Sequence, residues 1–154
     1  MAGTRETFSI TVDDAELRRY LAQLLDRLDQ PAAALREIGE VLTASTQQRF
    51  ATQTDPAGQP WAPNTPATLA RKRTLRILTE HGFLGDTIRY QLAADGRSVA
   101  VGSGLVYAAM QQFGGTKSMW PHLWGDIPPR PFLGLSEADR VSVLEILRDY
   151  LSAP

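Results

Sequence analysis

His81 and His122 are the side chains best suited to acid–base or metal chemistry, and they stand far apart in separate loops. A metal site would require each to find carboxylate partners across the fold, and no His-x-x-x-His pair is present. The expectation is therefore two exposed loop histidines. Gly114-Gly115-Thr116-Lys117-Ser118 has the residue types of a phosphate-cradling loop but lacks the Gly-Lys dipeptide and the upstream glycine at the required spacing. Gly102-Ser103-Gly104 lacks the spacing of a nucleophile elbow. Asp13, Asp14, Glu37 and Glu40 fall on polar helix faces, where solvated carboxylates belong. With no cysteine, the chain has no disulfide framework, zinc–thiolate site or thiol nucleophile. No catalytic residue, metal ligand or cofactor site is expected.

Residues suited to binding are easier to find. Between residues 61 and 100, Arg71, Lys72, Arg73, Arg76, Arg89 and Arg97 outnumber Glu80, Asp86 and Asp95, whereas residues 1–60 carry six basic and nine acidic side chains. Opposite-signed patches on one chain favour head-to-tail association with copies of itself, and such contacts close into rings when the rotation permits. Arg71, Lys72 and Arg73 also fit phosphate contact with DNA, against which stands the plainer reading of a solvated helix face. Trp61, between Pro60 and Pro63, is a large anchor on a stiff loop, suited either to lidding its own core or to meeting a partner. Trp120 and Trp124 share a loop of no clear period. Clustered apolar side chains on loops mark partner surfaces more often than ornament.

The elements that must position these groups follow from pattern. Phe8, Ile10 and Val12 alternate with polar residues as in a half-buried strand, and Asp13 with Glu16 makes a capping-box-like helix start. Leu17, Leu21, Leu24, Leu25 and Leu28 line one helix face; Gln30-Pro31 interrupts; Leu35, Ile38, Leu42 and Phe50 line a second helix ending near Gln53. So short a connection predicts a helical hairpin or a sharply kinked pair. Asp55-Pro56-Ala57-Gly58 fits a type I turn, and Thr65-Pro66 opens a short basic helix through Arg76. Ile88, Tyr90 and Leu92, then Val99 and Val101, alternate around Asp95-Gly96, the signature of a hairpin closed by a type I′ turn. A short helix is expected over Leu105 to Phe113.

Ile127 to Ser136 follows with three prolines, which fix φ and remove three donors, so it is neither helix nor central strand. This stiff arm holds Arg130 and Phe132 at set positions and suits docking onto other subunits. Ser136 and Asp139 then cap a final helix with Leu144, Leu147 and Leu151 on one face. The fold class is α+β: a small antiparallel sheet with a β-hairpin packed against amphipathic helices, with long Pro-rich arms.

At 154 residues the chain fits one domain over residues 1–154. A formal charge of −1 argues against a dedicated nucleic-acid binder. No basic flank leads into an apolar run at the start, and no apolar stretch reaches the ~20 residues a membrane helix needs. Folding in the cytoplasm without membrane contact is the expectation.

Taken together, Thr54 to Pro63, Thr68-Leu69-Ala70-Arg71-Lys72-Arg73, Val101-Gly102-Ser103, Tyr107-Ala108-Ala109 with Gln112-Phe113-Gly114-Gly115, and Ile127-Pro128 with Arg130 to Ser136 resemble the phage virion morphogenesis family, the tail-completion proteins of Mu-like and related tailed phages. The blocks stand in the family's order and span nearly the whole chain. Leu78 to Leu84 replaces a more usual Asp-Thr-Gly-x-Leu, and Gln111 stands where a histidine is common. The resemblance implies a structural virion protein at the head–tail neck that completes the tail end and supports head–tail joining. It implies a homo-oligomeric ring, expected to be a hexamer, with the tail tube or terminator and head-connector proteins as partners and genomic DNA as a passing contact. On this reading Trp61, Arg71, Lys72, Arg73, Trp120, Trp124, Arg130 and Phe132 form the partner interface, and the rival is a DNA-contacting module built on Arg71 to Arg76.

Overall fold

The computed structural model describes residues 15–153. The strand expected over Thr7 to Val12 and the Asp13 cap lie outside them. Helix α1 spans Ala15–Asp29, α2 Ala32–Thr52, α3 Pro66–Leu69 and α4 Phe83–Asp86; strands β1 (Arg89–Leu92) and β2 (Val99–Gly102) follow, then α5 (Ala108–Phe113) and α6 (Glu137–Ser152). The class is α+β, with one two-stranded antiparallel sheet among the described residues.

Most of the described elements pack on α2. The sheet lies against one side, α6 against another and α4 near its C-terminal end. Ala34 and Ile38 meet Ile146 of α6 in one apolar cluster, with Leu42, Val143, Leu147 and Tyr150 around it. Phe50 begins the second, in which it meets Trp61, Leu84, Ile88, Ala108 and Phe132. The face of α6 turned inward is therefore Val143, Ile146, Leu147 and Tyr150, and Leu144, expected there, is 52% exposed.

An isolated two-stranded hairpin is marginal in water, and this one depends on the helix behind it. Arg89 pairs with Gly102 and Leu92 with Val99. Tyr90 lies so close over α2 that a Cβ at Gly39 would stand 2.5 Å from its ring. A glycine inside a helix costs about 1 kcal/mol relative to alanine, and here it admits the sheet. The turn is not the expected type I′. Ala93 donates to the Ser98 carbonyl and Gly96 donates to that of Ala93, each at 2.9 Å. Within the loop Gly96 takes positive φ (67°) and Asp95 does not. Asp95 instead uses Oδ1 to accept from the Arg97 N–H, so its side chain holds a longer loop.

Of the two arrangements expected for α1 and α2 the hairpin is not formed, and the basic helix is shorter than expected. α1 does not fold back on α2 as a hairpin; it meets α6, where Arg27 Nη1 donates to the Tyr150 carbonyl at 3.0 Å and the Tyr150 hydroxyl donates to the Gln30 carbonyl at 2.7 Å. The basic helix stops at Leu69, and residues 70–80 form turns. Thr65 and Pro66 start it as expected, with the Thr68 N–H donating to Thr65 Oγ1. Beyond Leu69, the tertiary hydrogen bonds of Lys72 and Arg76 prevail over helix propensity.

Candidate functional site

The proline-rich stretch from 127 to 136 is a strap across its own protomer. Its backbone is tied down almost residue by residue. Arg130 N–H donates to the Gln111 carbonyl at 2.8 Å, and the N–H groups of Phe132 and Leu133 both donate to Gln112 Oε1 at 3.0 Å. Gln112 Nε2 returns a bond to the Leu133 carbonyl. The carbonyls that proline leaves without a neighbouring donor are met from the other side: Trp61 Nε1 donates to the Pro131 carbonyl at 2.7 Å. Phe132 is completely buried, with its ring centroid 5.4 Å from that of Phe50.

This corrects the expected interface in three places. Trp61, Arg130 and Phe132 are buried within their own protomer. Trp61 is 4% exposed and meets Phe50 edge-on, so it lids its own core. Arg130 is buried, with Nε donating to the Ala62 carbonyl and Nη2 to that of Pro63. Burial pulls its guanidinium below the usual arginine range. The physical reason is supply and demand of hydrogen bonds. Prolines on both segments remove donors and leave carbonyls, and an arginine and an indole furnish the missing N–H groups.

Beneath the strap lies a polar lock. Arg49, on the last turns of α2, sends Nη1 to the Phe132 carbonyl at 2.8 Å and Nη2 to Asp139 Oδ2 at 2.5 Å. Asp139 simultaneously completes the expected capping box of α6 with Ser136. Burial works to raise the Asp139 carboxyl, but hydrogen bonds from Ser45 and Ser136 and the Arg49 charge together hold it below the usual aspartate value. One ion pair thus joins α2, the strap and α6. Asp139 was legible as a cap. Arg49 and Gln112 were not singled out, though Arg49 falls on the same face of α2 as Leu42, a signal for a buried cation.

The basic stretch divides by role. Lys72 Nζ donates to the Thr79 carbonyl at 2.8 Å and lies 3.6 Å from Glu80 Oε2; Arg76 Nη2 donates to the Phe50 carbonyl at the end of α2. These two cations hold the 70–80 segment, and Arg76 meets the negative C-terminal end of α2. Arg71 and Arg73 are exposed. The structure brings Arg71 to the tryptophan loop, its guanidinium carbon 5.8 Å from the Trp124 ring centroid.

The surface that remains outward is apolar. Trp124 is 93% exposed, Phe113 76%, Met119 73% and Trp120 46%. A groove lined by Phe113, Met119, Trp120, Ile127 and Pro128 runs beside them. Of the eight expected interface residues, the structure leaves Arg71, Arg73, Trp120 and Trp124 on the surface, holds Lys72 half-buried and takes three inside. Phe113 and Met119 were missed, because one reads as the end of a helix stripe and the other as an isolated loop residue. His81 and His122 are exposed, beside Phe83 and Trp120 respectively. Among the described residues no group of three His, Asp or Glu side chains is placed to hold a metal ion, and no helix is long and apolar enough to cross a membrane.

A curated relative, a putative capsid assembly protein G of Escherichia phage Mu, is 30% identical over 151 residues, which covers 94% of each chain. No solved structure matches. The sequence pattern of the phage virion morphogenesis family fits residues 12–152, nearly the entire length, and the chain therefore belongs to that family, whose role is structural and morphogenetic.

Proposed function

We propose that the chain is a component of the head–tail neck that completes the end of the tail and supports its joining to the head. On this reading it works as a ring of copies of itself, a homo-hexamer, that meets the tail tube or terminator on one side and head-connector proteins on the other. The observation that carries the proposal is the tryptophan loop. Its ends are clamped where Gly115 and Ile127 exchange N–H···O bonds of 2.9 and 2.7 Å, and Lys117 N–H donates to Asp126 Oδ1 across it. Between these bonds Trp124 and Met119 stand in solvent on a loop whose two ends are tied together. Large apolar groups held rigidly lose little entropy when a partner covers them, which is what an interface anchor requires. Membership of a virion morphogenesis family supports an assembly role, as does a relative described as a capsid assembly protein.

The DNA-contacting alternative has less beneath it, since Lys72 and Arg76 are committed internally. Arg71 and Arg73 alone correspond to a slope of about −2 in log affinity against log salt, that of a passing contact.

The test is complementation of a phage lacking the protein with Trp124→Ala combined with Met119→Ser. The variant is expected to fold with unchanged circular dichroism, while filled heads and free tails accumulate unjoined in electron micrographs. Joined, infectious particles at the normal yield would overturn the assignment.

A further inference from the structure

Arg130 is a buried cation whose counter-charge the described residues do not supply. It is 8% exposed, and Nε and Nη2 donate to carbonyls rather than to a carboxylate. Among the described residues none accepts from Nη1, and that nitrogen is not sealed from solvent. Nor does any described aspartate or glutamate lie within ion-pair distance: Asp139 is taken by Arg49, and Glu80 by Lys72 and the Arg73 N–H. Buried guanidinium groups are ordinarily paired, because a charge withdrawn from water needs an opposite charge to replace its hydration.

The side chain stands where two cavities meet. One is a groove of about 690 Å³ between α3 and the tryptophan loop, the other a pocket of about 290 Å³ beside Leu78, His81 and Tyr107. Thr68, Lys72 and Arg130 line both. Across the groove from α3 the wall is apolar, made by Leu123, Trp124, Ile127 and Pro128. Arg71 lines it too, beside the Trp124 ring, and forms no ion pair among the described residues. The acidic side chain of the lining is Asp126, whose Oδ1 accepts from the Lys117 N–H. With Lys72 balanced by Glu80 at 3.6 Å, Arg71 and Arg130 against Asp126 leave the groove positive.

We infer that this groove docks an acidic peptide segment of a partner protein, whose carboxylate reaches Arg130 while a neighbouring apolar side chain covers Trp124. The walls select that occupant. A positive floor calls for an anion, and the apolar wall calls for carbon beside it. Duplex DNA presents a broad phosphate backbone that meets exposed cations, whereas Arg130 is reached only by a slender group entering between α3 and the loop. A glutamate side chain is such a group. A charge-assisted bond to a desolvated arginine, ringed by apolar contacts, has the make-up of an interface hot spot. The inference rests on the reading of the tryptophan loop as a partner surface and adds the chemistry of the partner.

The experiment uses the full chain and fluorescence anisotropy of two labelled probes, a short peptide alternating Glu and Leu and single-stranded oligothymidylate of the same charge. The acidic peptide should bind saturably with a Kd below about 1 mM, and its Gln–Leu counterpart should not. Arg71→Glu should weaken binding by about tenfold or more with unchanged circular dichroism and melting temperature, whereas Arg73→Glu, outside the groove, should change it by less than about twofold. Because Arg130 also holds residues 62 and 63, its charge is tested without removing it. Thr68→Glu places a carboxylate on the wall that both cavities share, at the helical position after the Thr65 cap that favours glutamate, and should abolish binding in a folded protein. Peptide binding that is absent, that does not need glutamate, or that survives Arg71→Glu or Thr68→Glu would overturn the inference. So would tighter binding of the oligothymidylate, which would make the groove a nucleic-acid site. The neck assignment is judged separately by head–tail joining: a joining defect in the Trp124→Ala, Met119→Ser variant, without peptide binding by the natural chain, would remove the acidic partner and leave that assignment standing.

Discussion

Replacing Phe132 with alanine tests the central correction that the structure makes. As a docking residue on a free arm, Phe132 could be truncated with little effect on folding. Instead its side chain has no exposed surface and packs on Phe50, which in turn packs on Trp61. An aromatic side chain buries about 150–250 Å², which at ~25 cal/mol per Å² gives roughly 4–6 kcal/mol as an upper estimate. Measured Phe→Ala changes in cores run about 3–5 kcal/mol, the spread reflecting how far the site collapses. We expect a loss of about 4 kcal/mol, a large fraction of the roughly 5–15 kcal/mol by which an ordinary domain is stable. Urea unfolding followed by tryptophan fluorescence suits the measurement, because Trp61 is buried in the same cluster whereas Trp124 is in solvent. The midpoint should fall with little change in slope. A loss below about 1 kcal/mol, with Trp61 emission unchanged, would refute the strap as part of the core and restore it as an interface arm.

Other consequences follow from the lock and the close approach of the sheet. Arg49→Met leaves Asp139 buried without its partner and should cost about 3–5 kcal/mol by the same unfolding assay, whereas Arg73→Met should cost almost nothing. Because the Asp139 carboxyl is held below its ordinary value, its contribution to stability is complete above the unfolded pKa and is lost as pH falls through the folded one. Asp139→Asn should therefore flatten the acid limb of a melting-temperature profile below about pH 4. Gly39→Ala raises helix propensity yet should destabilise by about 1–3 kcal/mol, because the new methyl meets the Tyr90 ring; Gly39→Ala combined with Tyr90→Ala should recover part of that loss.

Local pattern determined a good deal here. The leucine repeat of α1, the break at Pro31, the end of α2 near Gln53, the turn at Asp55 to Gly58 and the Ser136 cap depend on residues within a few positions of each other, and each stands where its spacing placed it. Ordered blocks along the chain likewise sufficed for the family. What the sequence could not settle was which side of each anchor meets its own protomer. Three prolines make the strap stiff wherever it lies. Only the carbonyls of residues 62, 63 and 131, more than sixty positions from the groups that donate to them, decide that Arg130 and Trp61 turn inward. The same distance hid the lock, since Arg49 and Asp139 are 90 residues apart and neither is unusual until α2 and α6 touch. α1 shows the converse: its leucine stripe was plain in the sequence, but that the helix meets α6, with Leu24 half-buried and Leu17, Leu21, Leu25 and Leu28 exposed, could be learned only once the other described elements had been packed.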